Sequence, residues 1–332
     1  MIKRIGIVGI GAWASAIAIL LAENGLSVTV WSQEIDLIEE ISTKRENKKY
    51  LKGVQFPRKV SFTIDENQLA LCDLIIQAIP TQFIRQVFSR IGIPIAFKPI
   101  LNVAKGIEKG TFKRVSEILK DFDVGDDDYA ILTGPSHAEE VVKRVPTAVV
   151  VASKNAKLRE EVQKLFTNVY FRVYTSDDVI GCELGGSLKN VIAIAAGIID
   201  GLELGDNSKA ALITRGLAEI TRLGTAMGAN PLTFAGLSGL GDLIVTCNSK
   251  YSRNRYVGEQ IAKGRKLEEI VKSMNAVAEG VDTTISAYQL SLKQKVELPI
   301  TKKVYEILFE NLEPRNAILE LMTREAKPEV WR

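Results

Sequence analysis

The segment Ile5-Gly6-Ile7-Val8-Gly9-Ile10-Gly11-Ala12-Trp13-Ala14 decides how the first half of this chain folds. A short apolar run is followed by a G-x-G-x-x-A turn, and the helical stretch 12–21 begins inside that turn. Gly9 allows a tight turn, Gly11 allows a pyrophosphate to approach the backbone, and the small Ala14 allows the helix to pack closely on a sheet. The free N–H groups at the start of the helix attract phosphates. The segment therefore predicts a dinucleotide-binding turn.

The same N-terminal run also resembles a signal peptide or a short membrane span. Lys3-Arg4 precede the uncharged stretch 5–22, which has nearly the required length. The early glycines, and a second apolar run at 27–31, are more typical of a strand, a turn, a helix and a second strand. We therefore expect a βαβ unit here, and neither a cleaved leader nor insertion into a membrane.

The first half of the chain alternates β-branched runs with amphipathic runs. Such alternation predicts a mostly parallel sheet with helices on both faces. Strands are predicted at 5–8, 28–31, 74–79, 100–103, 130–132, 148–152 and 169–174, and helices at 12–21, 35–45, 83–91, 111–121 and 158–168.

Helical periodicity dominates after residue 178. Helices are predicted at 179–199, 208–227, 252–262, 267–274, 280–292 and 300–309. Because 332 residues exceed the usual size of one hydrophobic core, two domains are expected. The predicted fold class is an α/β Rossmann-type parallel-sheet domain, residues 1–177, followed by an all-helical C-terminal domain, residues 178–332.

Composition excludes several classes of protein. A net charge of +3 is too small to indicate binding to nucleic acid. Cys72, Cys182 and Cys247 are odd in number and far apart, which argues against disulfides and a metal site and favours the reducing cytoplasm. The single histidine, His137, is expected to pack or to face solvent. The apolar helices of the second half leave room for a homodimer.

The end of the second predicted strand does not reveal which cofactor is used. NAD sites usually place an acid there to hold the ribose hydroxyls, and NADP sites a basic residue. This chain has Ser32 and Gln33, and Glu34 comes two residues late. Both NAD(H) and NADP(H) therefore remain possible.

Several polar residues lie where chemistry is expected. Lys105 follows a predicted buried strand, and the carboxyl ends of such strands bind ligands in open α/β sheets. Ser136 follows the next strand and could simply cap a helix. Lys189 lies on a very apolar helix. Its ammonium is therefore either paired inside the protein, or it reaches the surface while the aliphatic part of the side chain stays buried. Burial or a nearby cation would lower its pKa toward a value suited to proton transfer.

A further cluster lies between residues 239 and 254. Asp242 and Thr246 are one helical turn apart, and Ser252-Arg253-Asn254 follow closely. A guanidinium flanked by polar donors suits a phosphate dianion in charge and in shape. Without other information, the same three residues would read as an ordinary capped start of a helix.

These segments together resemble the bacterial NAD(P)-dependent sn-glycerol-3-phosphate dehydrogenase family over essentially the whole chain. The motifs that carry the resemblance are Gly9–Trp13, Ala104–Gly106, Gly134–Ala138, Leu188–Val191, Asp200–Leu202, Asn207–Gly216, Gly239–Leu243, Thr246-Cys247, Ser252–Asn254, Ala278–Val281 and Leu321–Arg324. Departures from the family are Ala12 and Ala14 in the turn and Gln33, where relatives that favour NADPH often have a basic residue.

The resemblance implies reversible hydride transfer between the nicotinamide and C2 of dihydroxyacetone phosphate or glycerol 3-phosphate, which supplies glycerophospholipid synthesis. It implies that Lys189 is the general acid/base, that Lys105 adds positive potential beside it, and that Asp242 orients the ammonium or the substrate. The implied substrate-binding residues are Lys105, Gly134, Ser136, Lys189, Asp242, Thr246, Ser252, Arg253 and Asn254. The implied cofactor-binding residues are Gly9, Gly11, Ala12, Trp13, Gln33, Lys105, Ala138, Arg253, Val277 and Glu279.

Two other functions remain open at this point. The first is a related two-domain enzyme that acts on a 2-hydroxy or 3-hydroxy acid, whose substrate would carry a carboxylate in place of the phosphate. The second is a dinucleotide sensor without catalytic activity, in which Lys189 would have no purpose.

Overall fold

The computed structural model describes residues 2–95, 97–326 and 328–329. Its first half contains one large sheet and one small hairpin. The strands are β1 Arg4–Val8, β2 Ser27–Trp31, β3 Glu46–Asn47, β4 Leu51–Gln55, β5 Val60–Thr63, β6 Leu74–Gln77, β7 Ile100–Asn102, β8 Tyr129–Thr133, β9 Thr147–Ala152 and β10 Phe171–Ser176.

The large sheet has the strand order β10-β9-β8-β7-β6-β1-β2-β5. Within the described residues, neighbouring strands of this sheet pair in parallel, except β8 and β9, which are antiparallel. The predicted strands all form. The edge strand β5 and the hairpin β3–β4 were not predicted, because their residues are partly exposed and lack a continuous apolar run.

Helices cover this sheet, and the N-terminal run 5–22 forms β1, the turn and the first helix as predicted. The helices are α1 Ala12–Glu23, α2 Ile35–Lys44, α3 Ile84–Ile95, α4 Val115–Lys120, α5 Ala138–Val141 and α6 Ala156–Phe166. The helix predicted from residue 111 begins later. Phe112 has a left-handed φ of 61°, and Glu117 accepts a hydrogen bond from the Arg114 N–H, so the helix starts at Val115.

The described part of the second half is helical, and the predicted fold class is confirmed. Its helices are α7 Val179–Gly201, α8 Gly205–Ala226, α9 Asp242–Asn248, α10 Arg253–Ala262, α11 Leu267–Lys272, α12 Gly280–Gln294, α13 Pro299–Phe309 and α14 Pro314–Met322. Neither α9 nor α14 was predicted. The domain boundary between residues 177 and 178 stays a prediction; β10 ends at Ser176 and α7 begins at Val179.

Helix α7 joins the two halves through a buried carboxylate. Glu183 is 3% exposed and accepts hydrogen bonds from the Arg114 guanidinium at 2.6 Å, from both the N–H and the hydroxyl of Ser116, and from the Tyr129 hydroxyl. Burial and this carboxylate raise the pKa of Tyr129 well above its usual value. Removing one partner of a buried ion pair costs about 3–5 kcal/mol, so this cluster fixes α7 against the sheet.

Helices α7 and α10 touch backbone to backbone. A Cβ atom on Gly258 would lie 1.9 Å from the Ile194 carbonyl oxygen, and one on Gly197 would lie 1.9 Å from the Arg255 carbonyl oxygen. Only glycine permits this approach. It places the first turn of α10 beside α7, which also carries Lys189.

Among the described residues, one helix is long and apolar enough to cross a membrane. That helix is α7, and its most apolar stretch is completely buried by the surrounding protein.

The α7–α10 contact leads to a stability prediction. We expect Gly258→Ala to lower the free energy of unfolding by about 3 kcal/mol or more, because the added methyl group must push two helix backbones apart. Gly241→Ala is the matched control, since the same methyl group there meets its nearest atoms at 3.6 Å in a right-handed helical conformation. Chemical denaturation measures both. Equal stability of the two variants would contradict the contact.

Candidate active site

A cleft of about 520 Å³ opens where the carboxyl ends of β1, β2, β6 and β7 face α7, α9, α10 and the start of α12. This is the edge at which open α/β sheets bind ligands. The structure brings almost the whole predicted residue set to it. The predicted residues that line the cleft are Gly9, Gly11, Ala12, Trp13, Gln33, Lys105, Ser136, Ala138, Lys189, Asp242, Thr246, Ser252, Arg253, Asn254, Val277 and Glu279.

The glycine-rich turn has the features that a dinucleotide requires. Gly9 has a φ of +114°, and a Cβ there would lie 3.0 Å from the Ala78 carbonyl oxygen. A Cβ on Gly11 would meet nothing within 4 Å, so the turn leaves open space in front of α1. No side chain caps that helix, and the indole Nε1 of Trp13 is buried without a partner. Free N–H groups beside open space fit a pyrophosphate.

Two ammonium groups share one carboxylate at the centre of the cleft. Asp242 on α9 is 1% exposed and accepts from Lys105 Nζ at 2.6 Å through Oδ2 and from Lys189 Nζ through Oδ1. Lys189 Nζ also lies 2.6 Å from the Thr246 hydroxyl. Lys189 is 5% exposed. Of the two alternatives that its apolar helix left open, the structure therefore shows the first, a lysine that is buried and paired.

This arrangement changes the pKa values of its members. Burial lowers the pKa of Lys189 to about 8; the positive charge of Lys105 acts in the same direction, while Asp242 opposes it. Burial alone would raise the pKa of Asp242, but the two ammonium groups hold it below its usual value. Near neutral pH, therefore, Asp242 is ionised and Lys189 can exchange a proton.

Backbone contacts hold Lys105 in place. Its ammonium donates to the Gly134 carbonyl oxygen at 3.0 Å, and its own carbonyl oxygen accepts from the Asn190 amide at 2.9 Å. Gly134 does not line the cleft. Its φ of +135°, and the 3.0 Å that would separate a Cβ from Val149 Cα, explain why glycine occupies the position.

The Ser-Arg-Asn cluster forms the start of α10. Ser252 is the predicted N-cap, and its hydroxyl accepts from the Arg255 N–H at 3.2 Å. Arg253 is exposed and lines the cleft. The Asn254 Oδ1 atom accepts from the Gly280 N–H at 3.0 Å, which ties α10 to α12. The cluster thus presents a guanidinium to the cleft from a braced helix end.

Ser136 and Glu279 have roles that their sequence positions did not indicate. The Ser136 hydroxyl donates to the Gly134 carbonyl oxygen at 3.0 Å, and the N-cap of α5 is His137, so the alternative that Ser136 caps a helix is wrong. The Glu279 carboxylate lines the cleft and accepts from the backbone N–H groups of Thr81 at 2.7 Å and Lys105 at 3.3 Å. It connects the helical half to two loops of the sheet.

Sequence reasoning noted Glu34 but gave it no role, missed other residues of the cleft, among them Tyr50, Asn190 and Tyr251, and left His137 without a place there. Burial, reinforced by Lys189 and Lys105, lowers the pKa of His137 to about 4, so its imidazole is neutral near pH 7. Asn190 could have been predicted as a cleft residue, because it is adjacent to Lys189 in the sequence. Tyr50 could not, because it belongs to the hairpin that was not predicted.

Known proteins are similar to this chain in sequence and in fold. Residues 4–159 match the model of the NAD-dependent glycerol-3-phosphate dehydrogenase N-terminus, and residues 178–319 match that of the C-terminus. The glycerol-3-phosphate dehydrogenase, NAD(P)+, of Prosthecochloris aestuarii is 50% identical over 98% of this chain and 99% of that protein. The protein of the same name from a Thermoanaerobacter species is also 50% identical, over 98% and 99%.

A solved structure of a glycerol-3-phosphate dehydrogenase is also similar to this chain. The crystal structure of glycerol-3-phosphate dehydrogenase from Coxiella burnetii has a TM-score of 0.92 and 37% identity, and covers 97% of this chain and 99% of that one. D-mandelate dehydrogenase, at 13% identity and a TM-score of 0.59, shares the fold alone. On the sequence matches along both halves, this chain belongs to the NAD-dependent glycerol-3-phosphate dehydrogenase family.

Proposed function

We propose that this protein catalyses the reversible reduction of dihydroxyacetone phosphate to sn-glycerol 3-phosphate with NADH or NADPH. The observation that carries the proposal is the Lys189–Asp242–Lys105 cluster, in which Lys189 and Asp242 are buried, and which shares one cleft with the glycine-rich turn and Arg253. A dinucleotide at the turn and a phosphate at Arg253 would meet at these lysines, as hydride transfer requires.

The cofactor, when bound, supplies or accepts the hydride at C2 of the substrate. Gly9, Gly11 and the free N-terminus of α1 would hold its pyrophosphate. Further cofactor contacts would come from residues that line the same cleft, namely Ala12, Trp13, Gln33, Lys105, Ala138, Arg253, Val277 and Glu279.

Lys189 moves the proton. In the direction of reduction its ammonium donates a proton to the C2 oxygen as negative charge develops there, and in the reverse direction the neutral amine accepts that proton. Asp242 holds the ammonium in position through Oδ1, and Thr246 supports it from the next helical turn. Lys105 stabilises the developing oxyanion by its charge.

The phosphate is held at the start of α10. Arg253 offers a planar, permanently charged fork, and Ser252 and Asn254 flank it. Gly134 and Ser136 complete the substrate side, Gly134 by bracing Lys105 through its carbonyl oxygen. The alternative function, a dehydrogenase of hydroxy acids, would instead bind a substrate carboxylate at this end of the cleft.

In the cell, we propose that the enzyme acts in the cytoplasm as a homodimer and supplies glycerol 3-phosphate for glycerophospholipid synthesis. The three cysteines are free and buried, which suits a reducing compartment. Apolar side chains on the surface of the helical half, among them Leu232, Leu319 and Met322, offer material for an interface between copies.

Replacing Lys189 tests the assignment of the proton donor. We expect Lys189→Met to lower kcat by about 10²–10⁴-fold, because general acid–base catalysis is lost, while the dissociation constant of the cofactor changes little. Steady-state kinetics and fluorescence titration measure the two quantities. If the variant keeps more than a few per cent of kcat, Lys189 is not the acid.

The pH dependence follows from the lowered pKa of Lys189. We expect kcat/KM for reduction to fall as pH rises through about 8, and kcat/KM for oxidation to rise there, because the two directions need opposite protonation states. Lys105→Gln should move this inflection to higher pH, since it removes a neighbouring positive charge. Lys109→Gln, which removes an exposed lysine paired with Asp282, is the control. An inflection that is insensitive to Lys105 would contradict the cluster.

Replacing Arg253 tests the phosphate site. We expect Arg253→Ala to raise KM for dihydroxyacetone phosphate by about 10–100-fold, since a charge-assisted hydrogen bond contributes about 1.5–3 kcal/mol. Unphosphorylated dihydroxyacetone should be a poor substrate for the wild type and be affected little by the substitution. Wild-type enzyme that uses both substrates equally well would overturn the phosphate assignment.

A further inference from the structure

We propose that Glu34 makes this enzyme select NADH over NADPH. The inference rests on the proposed function, and it concerns the end of the cleft that receives the adenosine ribose. It follows from where the Glu34 carboxylate lies, what holds it there, and which positive charges remain available for a 2′-phosphate.

The turn after β2 brings Glu34 into the cleft, although it lies two residues beyond the position where NAD sites usually carry an acid. Ser32, directly after β2, is 5% exposed, and its hydroxyl accepts from the Glu34 N–H at 3.2 Å. Ser32, Gln33 and Glu34 all line the cleft. Glu34 is the N-cap of α2, but its carboxylate makes no capping hydrogen bond to that helix.

The hairpin β3–β4 holds this carboxylate. The Tyr50 hydroxyl donates to it at 3.2 Å, and the Lys49 ammonium forms an ion pair with it. The hairpin is anchored in turn to the glycine-rich turn, because the Asn47 amide donates to the Ile10 carbonyl oxygen at 2.7 Å and to the Ser15 hydroxyl at 3.0 Å. Glu34 is therefore held at a set position relative to the pyrophosphate site.

The charges around this position favour two hydroxyls over a phosphate. A carboxylate accepts hydrogen bonds from the ribose 2′- and 3′-hydroxyls, whereas a 2′-phosphate would place a dianion beside it. Lys49 is already paired with Glu34, and its pKa is raised chiefly by that hydrogen bond. The Arg45 guanidinium donates to the Val60 carbonyl oxygen at 2.8 Å and to Pro57.

Direct binding tests the inference without relying on turnover. Trp13 and Trp31 line the cleft, so quenching of tryptophan fluorescence reports the dissociation constants of NADH and NADPH. We expect the wild type to bind NADH at least about tenfold more tightly, which corresponds to about 1.4 kcal/mol. The preference for NADH should decrease about tenfold or more in Glu34→Gln, which removes the negative charge. It should reverse in Glu34→Arg, which puts a positive charge in the same place.

Glu40→Gln is the matched control. It removes a carboxylate from the same helix, one that pairs with Lys44 at 3.0 Å and does not line the cleft. We expect it to leave both dissociation constants unchanged. ADP-ribose and its 2′-phosphate, which lack the nicotinamide, should show the same preferences as the two complete cofactors.

The outcomes separate this inference from the proposed function. A wild type that binds NADPH as tightly as NADH, or a Glu34→Gln variant whose preference stays within about twofold of the wild type, would overturn the role of Glu34. Turnover of dihydroxyacetone phosphate would remain intact in that case. Conversely, an absence of turnover combined with the expected binding preferences would overturn the proposed function and leave the assignment of Glu34 in place.

Discussion

The site depends on one buried carboxylate that is shared by two ammonium groups. Without Asp242, the buried Lys189 ammonium and the partly buried Lys105 ammonium would be two neighbouring like charges with no carboxylate to pair with, which is costly. With it, the cluster can stay buried, and the pKa of Lys189 falls only to about 8. This value lets one side chain serve as acid in one direction and as base in the other near neutral pH. The stability of the cluster and its chemistry thus have the same physical origin.

Helix α7 carries this cluster and ties the two halves of the chain together. Glu183, which precedes Lys189 on α7 by fewer than two turns, is bound by Arg114 and its neighbours on the sheet side. Further along the same helix, Gly197 lies against the backbone of α10. Lys189, the sheet and the start of α10 are therefore positioned by one rigid element. Rigid support of this kind keeps reacting groups within the small tolerance that catalysis requires.

The elements that could be predicted from the sequence are those whose residues follow a regular local pattern of burial. Apolar runs and the spacing of glycines identified the sheet strands and the helices that pack on them, because burial alternates with the period of each element. The hairpin β3–β4 and the edge strand β5 are short and partly exposed, so their sequences carry little of that signal. The hairpin nevertheless supplies Tyr50 and Lys49, which hold Glu34. What the sequence obscured is therefore the part of the cleft that we propose for the cofactor ribose.

By itself, the sequence determined the fold class, the glycine-rich turn and, through motifs matched along the whole chain, a set of site residues of which all but Gly134 line the cleft. The tertiary structure decided which groups face one another: that Lys189 is paired instead of solvated, that Gly134 braces Lys105 through a carbonyl oxygen, and that Glu34 points to the cleft. The reason is physical. Residue type and spacing determine local conformation, whereas pKa values and ion pairs depend on distances between segments that are far apart in the chain.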